Sequence, residues 1–350
     1  TGCRDAGESK CSEESSVIRF RNPLEGNVIF EDQVRGKVII SNDELDDLVI
    51  ARADGTPTYN FTNVVDDIDM EITHVIRGDD HVNNTPRQIN IFEVLGATPP
   101  SYAHVPMIAG TDGQRLSKRH GAVSVLQYRD DGFLPEALRN YLVRLGWSHG
   151  DQEIFSLDEM IQKFDISNVN RASSAFDADK LRWLNQHYIK NADATRLTLM
   201  LGQRLHQHGV DFQDGPPLSA VLDALRERIQ TVEELAEKSC YFFRDFDAYE
   251  ESAAKKHLRP VTASILEDLL GRLRLISDWQ ADVIHDAIND TAKSHGVKLG
   301  KIAQPLRVAV SGTAATPPND ETVALVGRVK TLERIEHALR YISERTSSGA

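Results

Sequence analysis

The hydrophobic pattern of this chain changes period once, and that change limits the folds open to it. Through the first third, short apolar runs alternate with turn signals. Val17, Ile18 and Phe20 precede an Asn22-Pro23 break, and Leu48-Val49-Ile50 runs into the turn signal Asp54-Gly55. Val28-Ile29-Phe30 and Val38-Ile39-Ile40 flank Arg35-Gly36, the pattern of a hairpin. Phe61, Val64, Val65 and Ile68 then fall on one helical stripe. Thr73-His74-Val75-Ile76 reads as a short buried strand. Thr85-Pro86 reads as a helix N-cap and first helical position, with Gly96 as the stop. Tyr102 to Ile108 reads as another strand. Residues 56–108 are thus expected to run helix–strand–helix–strand, a piece of parallel α/β sheet.

Beyond that point the period is helical. Leu134, Ala137, Leu138, Tyr141, Leu142 and Leu145 form one amphipathic stripe stopped by Gly146. Ser156 with Glu159, and Thr231 with Glu234, have capping-box spacing. From residue 178 onward helix follows helix, broken at Gly215-Pro216-Pro217, at Arg259-Pro260, and from Gly312 to Pro317-Pro318. The expected fold class is α/β plus all-α, in a chain whose 350 residues allow two or three domains.

Charge narrows the function classes. With 53 acidic and 40 basic residues the net charge is −13, which excludes a generally polybasic nucleic-acid binder but not one basic face that grips RNA. No apolar run approaches the roughly 18 residues of a membrane span. The opening residues Thr1 to Lys10 lack the apolar core of a signal peptide. Cys3, Cys11 and Cys240 are too few for a disulfide scaffold and fit a reducing compartment.

Three places hold residues suited to chemistry. Arg77-Gly78-Asp79-Asp80-His81 lies at the carboxyl end of an expected strand, where open α/β sheets bind ligands. A planar Arg fork suits a carboxylate there, and the acidic neighbours suit an amino group. The spacing alone fits at least as well a loop in which Arg77 pairs with Asp79 or Asp80. Arg115-Leu116-Ser117-Lys118-Arg119-His120-Gly121, after the Asp112-Gly113 turn, concentrates cations that can close on a polyphosphate, or form a solvated basic loop. Cys3 and Cys11 are half of the four ligands that a zinc site needs.

Taken together these residues resemble the glutamyl-tRNA synthetases. Lys118 and its neighbours are similar to the KMSKS-type loop of class I aminoacyl-tRNA synthetases, in the form typical of that family. The likeness continues through Glu44-Leu45-Asp46-Asp47, Asp54 to Phe61, Val64-Val65-Asp66-Asp67, Thr73 to His81 and Asn84-Thr85-Pro86-Arg87-Gln88. It resumes at Arg144 to Gly150 and Trp183 to Tyr188. It runs from about residue 17 to the end and is nearest to the bacterial type.

The resemblance implies the second half of a Rossmann-like class I synthetase catalytic domain followed by a helical anticodon-binding domain. The implied boundaries are 1–57 for the end of the acceptor-binding insertion, 58–115 for the catalytic half, 116–194 for a stem-contact subdomain and 195–350 for the anticodon-binding domain. It implies ATP-dependent attachment of L-glutamate to tRNA(Glu) through glutamyl-adenylate. Tyr59, Asn63 and Arg77 would bind glutamate. Asp80, His81, Met107, Ile108, Arg115, Ser117, Lys118 and Arg119 would bind ATP, with Lys118 the catalytic cation and Mg²⁺ assisting. A cytoplasmic monomer with no membrane partner is implied.

The sequence departs from the family at three points. The HIGH motif occurs nowhere in it, which implies that roughly 120 residues with the first half of the nucleotide-binding fold lie upstream, and that this chain alone is inactive. Arg115 stands where the family usually has Lys. Cys3 matches a zinc ligand, but Asp5 stands where a His is expected, so no intact metal site is expected and zinc only together with the upstream segment. The alternatives are a glutaminyl-tRNA synthetase-like enzyme, whose anticodon part is β-barrel, and a non-catalytic tRNA-binding fragment.

Overall fold

The computed structural model describes Arg4 and residues 16–110, 112–116 and 124–347. The chain forms two compact units. One gathers everything up to Val123 together with Arg139–Ala178; the other joins Ser124–Leu138 to the chain from Asp179 onward.

The first unit is built from β1 (Ile18–Arg19), β2 (Asn27–Asp32), β3 (Gly36–Ser41), β4 (Val49–Ala51), α1 (Tyr59–Asp69), β5 (His74–Gly78), α2 (Thr85–Val94) and β6 (Ser101–Val105). Four strands make one sheet in the order β3-β2-β6-β5, and β1 pairs separately with β4. The β2–β3 hairpin turns where the Arg35-Gly36 signal placed it, with Gly36 at φ +79°. β5 and β6 run parallel and in register, so that Arg77 stands opposite His104.

Strand β2 has a period of two, and its inward positions are Val28, Phe30 and Asp32. The first two join Leu45, Ile89 and Tyr102 in an apolar layer. A second cluster of Val34, Ala103, Trp147, Phe155, Met160 and Val169 includes the side chain between Tyr102 and His104 on β6. Because successive strand side chains point to opposite faces, Tyr102 and His104 share one face and Ala103 takes the other.

Three local expectations are corrected. The cap position of α2 is Asn84, one residue earlier than expected, and Thr85 and Pro86 open the helix. The Thr85 hydroxyl is engaged instead by Arg77 and His104. β6 stops at Val105 because Pro106 has no N–H to continue the ladder, so Met107 and Ile108 lie past the strand. β5 is an edge strand, not a buried one, and Ile76 on it is 60% exposed.

Helices α3 (Val125–Asp130), α4 (Pro135–Gly146) and α5 (Leu157–Lys163) follow. The Ser156–Glu159 capping box at α5 is complete in both directions. The second unit then holds α6 (Ala178–Asn191), α7 (Ala194–Gln207), α8 (Leu218–Leu225), α9 (Val232–Phe243), α10 (Glu251–His257), α11 (Pro260–Leu275), α12 (Ala281–Ser294), α13 (Gly300–Ser311), α14 (Asn319–Val326) and α15 (Arg328–Ser347). At α9 only half the box forms: Thr231 accepts from the Glu234 N–H, but the Glu234 carboxylate reaches the N–H of Gln230.

One large core binds these helices, and Leu197, Leu201, Leu205, Leu222, Leu266, Leu269 and Leu306 in it are wholly buried. Pro260 opens α11, and Gly312, in the left-handed region at φ +79°, ends α13. No described helix is long and apolar enough to cross a membrane.

Candidate functional site

Arg77 is the last side chain before the glycine that ends β5, and its guanidinium is held entirely by neutral groups. Its Nε–H donates to His104 Nε2 at 3.2 Å, and Nη2 donates to Thr85 Oγ1 at 2.7 Å and to Gln88 Oε1 at 2.9 Å. The Tyr102 ring lies 5.6 Å from its central carbon. Three of the five guanidinium hydrogens are thereby used, and the Nη1 pair meets no acceptor among the described residues.

Pairing of Arg77 with its own loop does not occur. Asp79 bonds Arg35 at 2.6 Å, and Asp80 lies 3.3 Å from Arg115. Among the described residues no carboxylate forms an ion pair with Arg77. Asp67 lies close enough to feel its charge. Burial raises the Asp67 carboxyl, and the Arg77 charge works against that rise.

Helix α1 brings the other two expected glutamate-side residues to this place. Gln88 Nε2 donates to both Asn60 Oδ1 and Asn63 Oδ1 at 3.1 Å, and Asn63 Nδ2 donates to Asp67 at 3.1 Å. Tyr59 is exposed at the start of α1, with its hydroxyl 3.4 Å from His81 Nδ1. Arg77, Asn63, Tyr59 and His81 thus belong to one connected polar network.

The expected nucleotide side is partly described. The segment after β6 folds back on itself around Asp112-Gly113. The Leu116 N–H donates to the Ile108 carbonyl, and Ala109 bridges to Arg115. A side chain at Gly78 would come within 3.1 Å of the Met107 sulfur and closer still to Asp80, so the glycine lets Met107 and Asp80 approach the end of β5. Met107 and Ile108 also border an apolar cavity of about 360 Å³ beside Trp147. Ser117, Lys118, Arg119 and Cys3 lie outside the described residues.

Sequence reasoning missed what lies behind Arg77. The Asp32 and His104 side chains are wholly buried and joined at 2.6 Å. Burial would raise the Asp32 carboxyl, but hydrogen bonds from the Arg35 N–H, from His104 and from the Val34 N–H outweigh it and hold it below its ordinary value. Burial likewise pulls the His104 imidazole down, against the pull of Asp32, and so favours the neutral ring.

The second unit holds a basic recess. Arg228 and Arg307 line a cavity of about 410 Å³ with Lys238 and Thr316. Arg307 donates to Thr316 Oγ1 at 2.9 Å. Burial first, then the like charge of Arg228, lowers the Arg307 pKa. Arg226 is used differently: its guanidinium ties the carbonyls of Ile189 and Ala192 at the end of α6. Among the described residues no three His, Cys, Asp or Glu side chains converge as a metal cage.

Residues 3–183 match the family described as tRNA synthetases class I (E and Q), catalytic domain, and residues 194–339 match an anticodon binding domain. A glutamate–tRNA ligase of Alkalilimnicola ehrlichii is 55% identical over 345 residues, 99% of this chain and 73% of that protein. One from Coxiella burnetii is 55% identical over 342 residues, 98% of this chain and 73% of the relative. Among solved structures, a glutamate–tRNA ligase of Elizabethkingia meningosepticum in complex with its amino acid superposes with a TM-score of 0.79 at 31% identity, covering 94% of this chain and 69% of the other. The glutamate–tRNA synthetase of Elizabethkingia anophelis gives 0.77 at 31% identity, covering 93% and 68%.

Proposed function

This chain belongs to the class I tRNA synthetases of the glutamate and glutamine type, among the glutamate–tRNA ligases, and from that premise we propose that it serves the ATP-dependent attachment of L-glutamate to tRNA(Glu). The reaction has two steps. The α-carboxylate of glutamate attacks the α-phosphorus of ATP, forming glutamyl-adenylate and releasing pyrophosphate. The ribose hydroxyl at the tRNA's end then takes the glutamyl group and releases AMP.

Tyr59, Asn63 and Arg77 receive glutamate in this reading. The observation that carries it is Arg77: a guanidinium at the carboxyl end of a parallel strand, held by three neutral acceptors, with its Nη1 hydrogens left for an incoming oxygen. A charged carboxylate is the strongest acceptor such a group can meet. Asp80, His81, Arg115 and the backbone at Met107 and Ile108 line the nucleotide side. Ser117, Lys118 and Arg119 carry the phosphate-binding role that the family resemblance assigns to them, with Lys118 neutralising charge on the departing pyrophosphate. Such chemistry needs alignment and charge neutralisation more than covalent help.

Magnesium fits as an ion brought by the nucleotide, because Mg²⁺ commonly binds through substrate phosphates. The described residues build no cage for it or for zinc. The proposed division is residues 1–57 against the acceptor end, 58–115 for activation, 116–194 along the stem and 195–350 for the anticodon. The proposed working form is a cytoplasmic monomer. The test is calorimetric titration of L-glutamate into the chain beside L-alanine, which shares the amino and α-carboxyl groups. Saturable binding of glutamate alone is expected; equal heats for both would overturn the assignment.

A further inference from the structure

We propose that Asp32 and His104 are positioning residues for amino-acid recognition: together they hold Arg77 in the one orientation that presents its Nη1 end to a substrate carboxylate. The inference rests on the reading of Arg77 as a glutamate contact, and it explains how that contact is prepared.

The three residues stand on three adjacent strands. Asp32 ends β2, His104 lies on β6 and Arg77 on β5. The Asp32 carboxylate is anchored first. It accepts from the N–H groups of Val34 at 3.0 Å, Arg35 at 2.8 Å and His104 at 3.1 Å. It then accepts from His104 Nδ1 at 2.6 Å. An anionic oxygen can only accept, so Nδ1 must carry the proton.

That assignment decides the other nitrogen. With Nδ1 protonated and the ring neutral, Nε2 presents a lone pair, and the Nε–H of Arg77 meets it at 3.2 Å. The opposite tautomer would set N–H against N–H at Arg77 and lone pair against carboxylate at Asp32. A doubly protonated ring would put a cation against the guanidinium. The state that suits Asp32 leaves the Nε2 lone pair to accept from Arg77, and the Thr85 hydroxyl, itself bonded by Arg77, lies 3.0 Å from the same nitrogen. The Tyr102 ring lies nearly parallel to the imidazole, at 13° between planes and 6.1 Å between centroids.

The arrangement also explains why the Arg77 charge stays available. A carboxylate in direct contact would take the guanidinium fork for itself and compete with the substrate. Here the carboxylate sits one imidazole away. It fixes the geometry through a neutral group and leaves the charge free. A hydrogen-bonded partner fixing the tautomer of a working histidine is a familiar device at metal sites and in hydrolytic triads. Here the histidine serves an arginine.

The experiment uses the whole chain and three variants, Asp32→Asn, His104→Phe and His104→Gln. Nitrogen-15 NMR of the wild-type histidines is expected to show His104 neutral and protonated at Nδ1. Affinities for L-glutamate and for ATP are then measured separately by calorimetry. His104→Phe keeps an aromatic ring but removes the acceptor, and Asp32→Asn unfixes the tautomer. Each is expected to weaken glutamate binding about tenfold or more, the scale of one charge-assisted hydrogen bond, and to leave ATP binding unchanged. In His104→Gln the amide oxygen replaces Nε2 as acceptor, and glutamate affinity is expected to stay within about threefold of wild type. A wild-type His104 protonated at Nε2 would overturn the proposal. So would a His104→Phe chain with wild-type glutamate affinity, or a His104→Gln chain as weak as His104→Phe. Should Asp32→Asn fail to fold, the two His104 variants and the tautomer decide alone. A wild-type chain that binds no glutamate would instead remove the Arg77 assignment, and the tautomer would still decide the Asp32–His104 pairing.

Discussion

Arg77 and His104 stand opposite each other across the parallel β5–β6 ladder, and the guanidinium Nε–H donates to the imidazole Nε2 at 3.2 Å. The register therefore does chemical work: a slip of one residue would send either side chain to the other face of the sheet.

The first prediction concerns Arg77 itself. Its guanidinium meets three protein acceptors and still keeps two hydrogens for a ligand. A lysine has three N–H donors at a single point and cannot span that array. Arg77→Lys is expected to weaken L-glutamate binding by about 10- to 100-fold, from the loss of charge-assisted hydrogen bonds worth about 1.5–3 kcal/mol. ATP affinity should be unaffected. Separate calorimetric titrations check this, and a defect confined to ATP would place Arg77 on the nucleotide instead.

The sequence made Arg77 legible and its support illegible, for a physical reason. A cation at the end of an apolar run stands out against its neighbours. Asp32 carries an equally clear mark, because it falls on the inward register of β2 after Val28 and Phe30. A carboxylate on the buried side of a strand needs partners; the Val34 and Arg35 N–H groups are close by, but His104, the one that reaches Arg77, is 72 positions away in the chain. No local pattern connects Asp32 with His104. The helical half was easier to read, since stripes such as Ile265, Leu269, Leu270 and Leu273 depend only on residues three or four apart, and all four are buried. Boundaries were missed where tertiary contacts override local preference, as at Thr85. The phosphate-loop residues Ser117, Lys118 and Arg119 rest on the sequence likeness alone.

The second prediction is a pH effect on stability. Burial lowers the His104 pKa in the folded chain, against the hydrogen bond and charge of Asp32, with the charges of Arg77 and Arg35 adding to the lowering. The unfolded chain therefore binds a proton at His104 more readily than the folded one does. The contribution of neutral His104 is present above the unfolded value of about 6.5 and is lost as pH falls through the folded value. Thermal midpoints of wild type and His104→Gln measured from pH 8 to pH 5 check this. The wild type should lose stability more steeply on the acid side. Parallel curves would mean that His104 does not titrate on unfolding in this range.

The third prediction concerns a buried arginine of the helical unit. Arg334 is 5% exposed and donates to the carbonyls of Tyr241, Val310 and Arg244 and to Asp245, with its guanidinium 5.3 Å from the Phe246 ring centre. Arg334→Leu would leave three carbonyls without this donor. The expected loss is about 3 kcal/mol, which lowers the thermal midpoint by roughly 6–12 °C in a unit of this size. Calorimetric melting measures it, and a shift under about 2 °C would mean that water replaces the guanidinium without cost.

The last prediction separates three arginines that look alike in sequence. Arg226 caps helix α8, and its Nε and Nη2 donate to the carbonyls of Ile189, in the last turn of α6, and of Ala192, just past it. Both bonds pin the guanidinium against the helix end, so its first role is to stabilise that end. Arg228 and Arg307 instead share a recess with Lys238, and their mutual repulsion helps lower the Arg307 pKa. Two like charges held together in a recess are relieved by an anion or by the acceptor edge of a base. Arginine also stacks on unpaired bases, the way single-stranded RNA is read. Arg228→Ala and Arg307→Ala are therefore each expected to weaken binding of tRNA(Glu) by about 1–3 kcal/mol. Where the contact is to a phosphate, the slope of log affinity against log salt should also shrink by about 0.7–0.9. Where it is to a base, the slope should hold and discrimination against a transcript with a changed anticodon should fall. Arg226→Ala should keep both affinity and discrimination while lowering the thermal midpoint. Filter-binding titrations of the three variants against both transcripts at two salt concentrations distinguish these outcomes. If Arg226→Ala loses RNA while Arg228→Ala and Arg307→Ala keep it, the recess does not meet the tRNA and the division of roles is wrong.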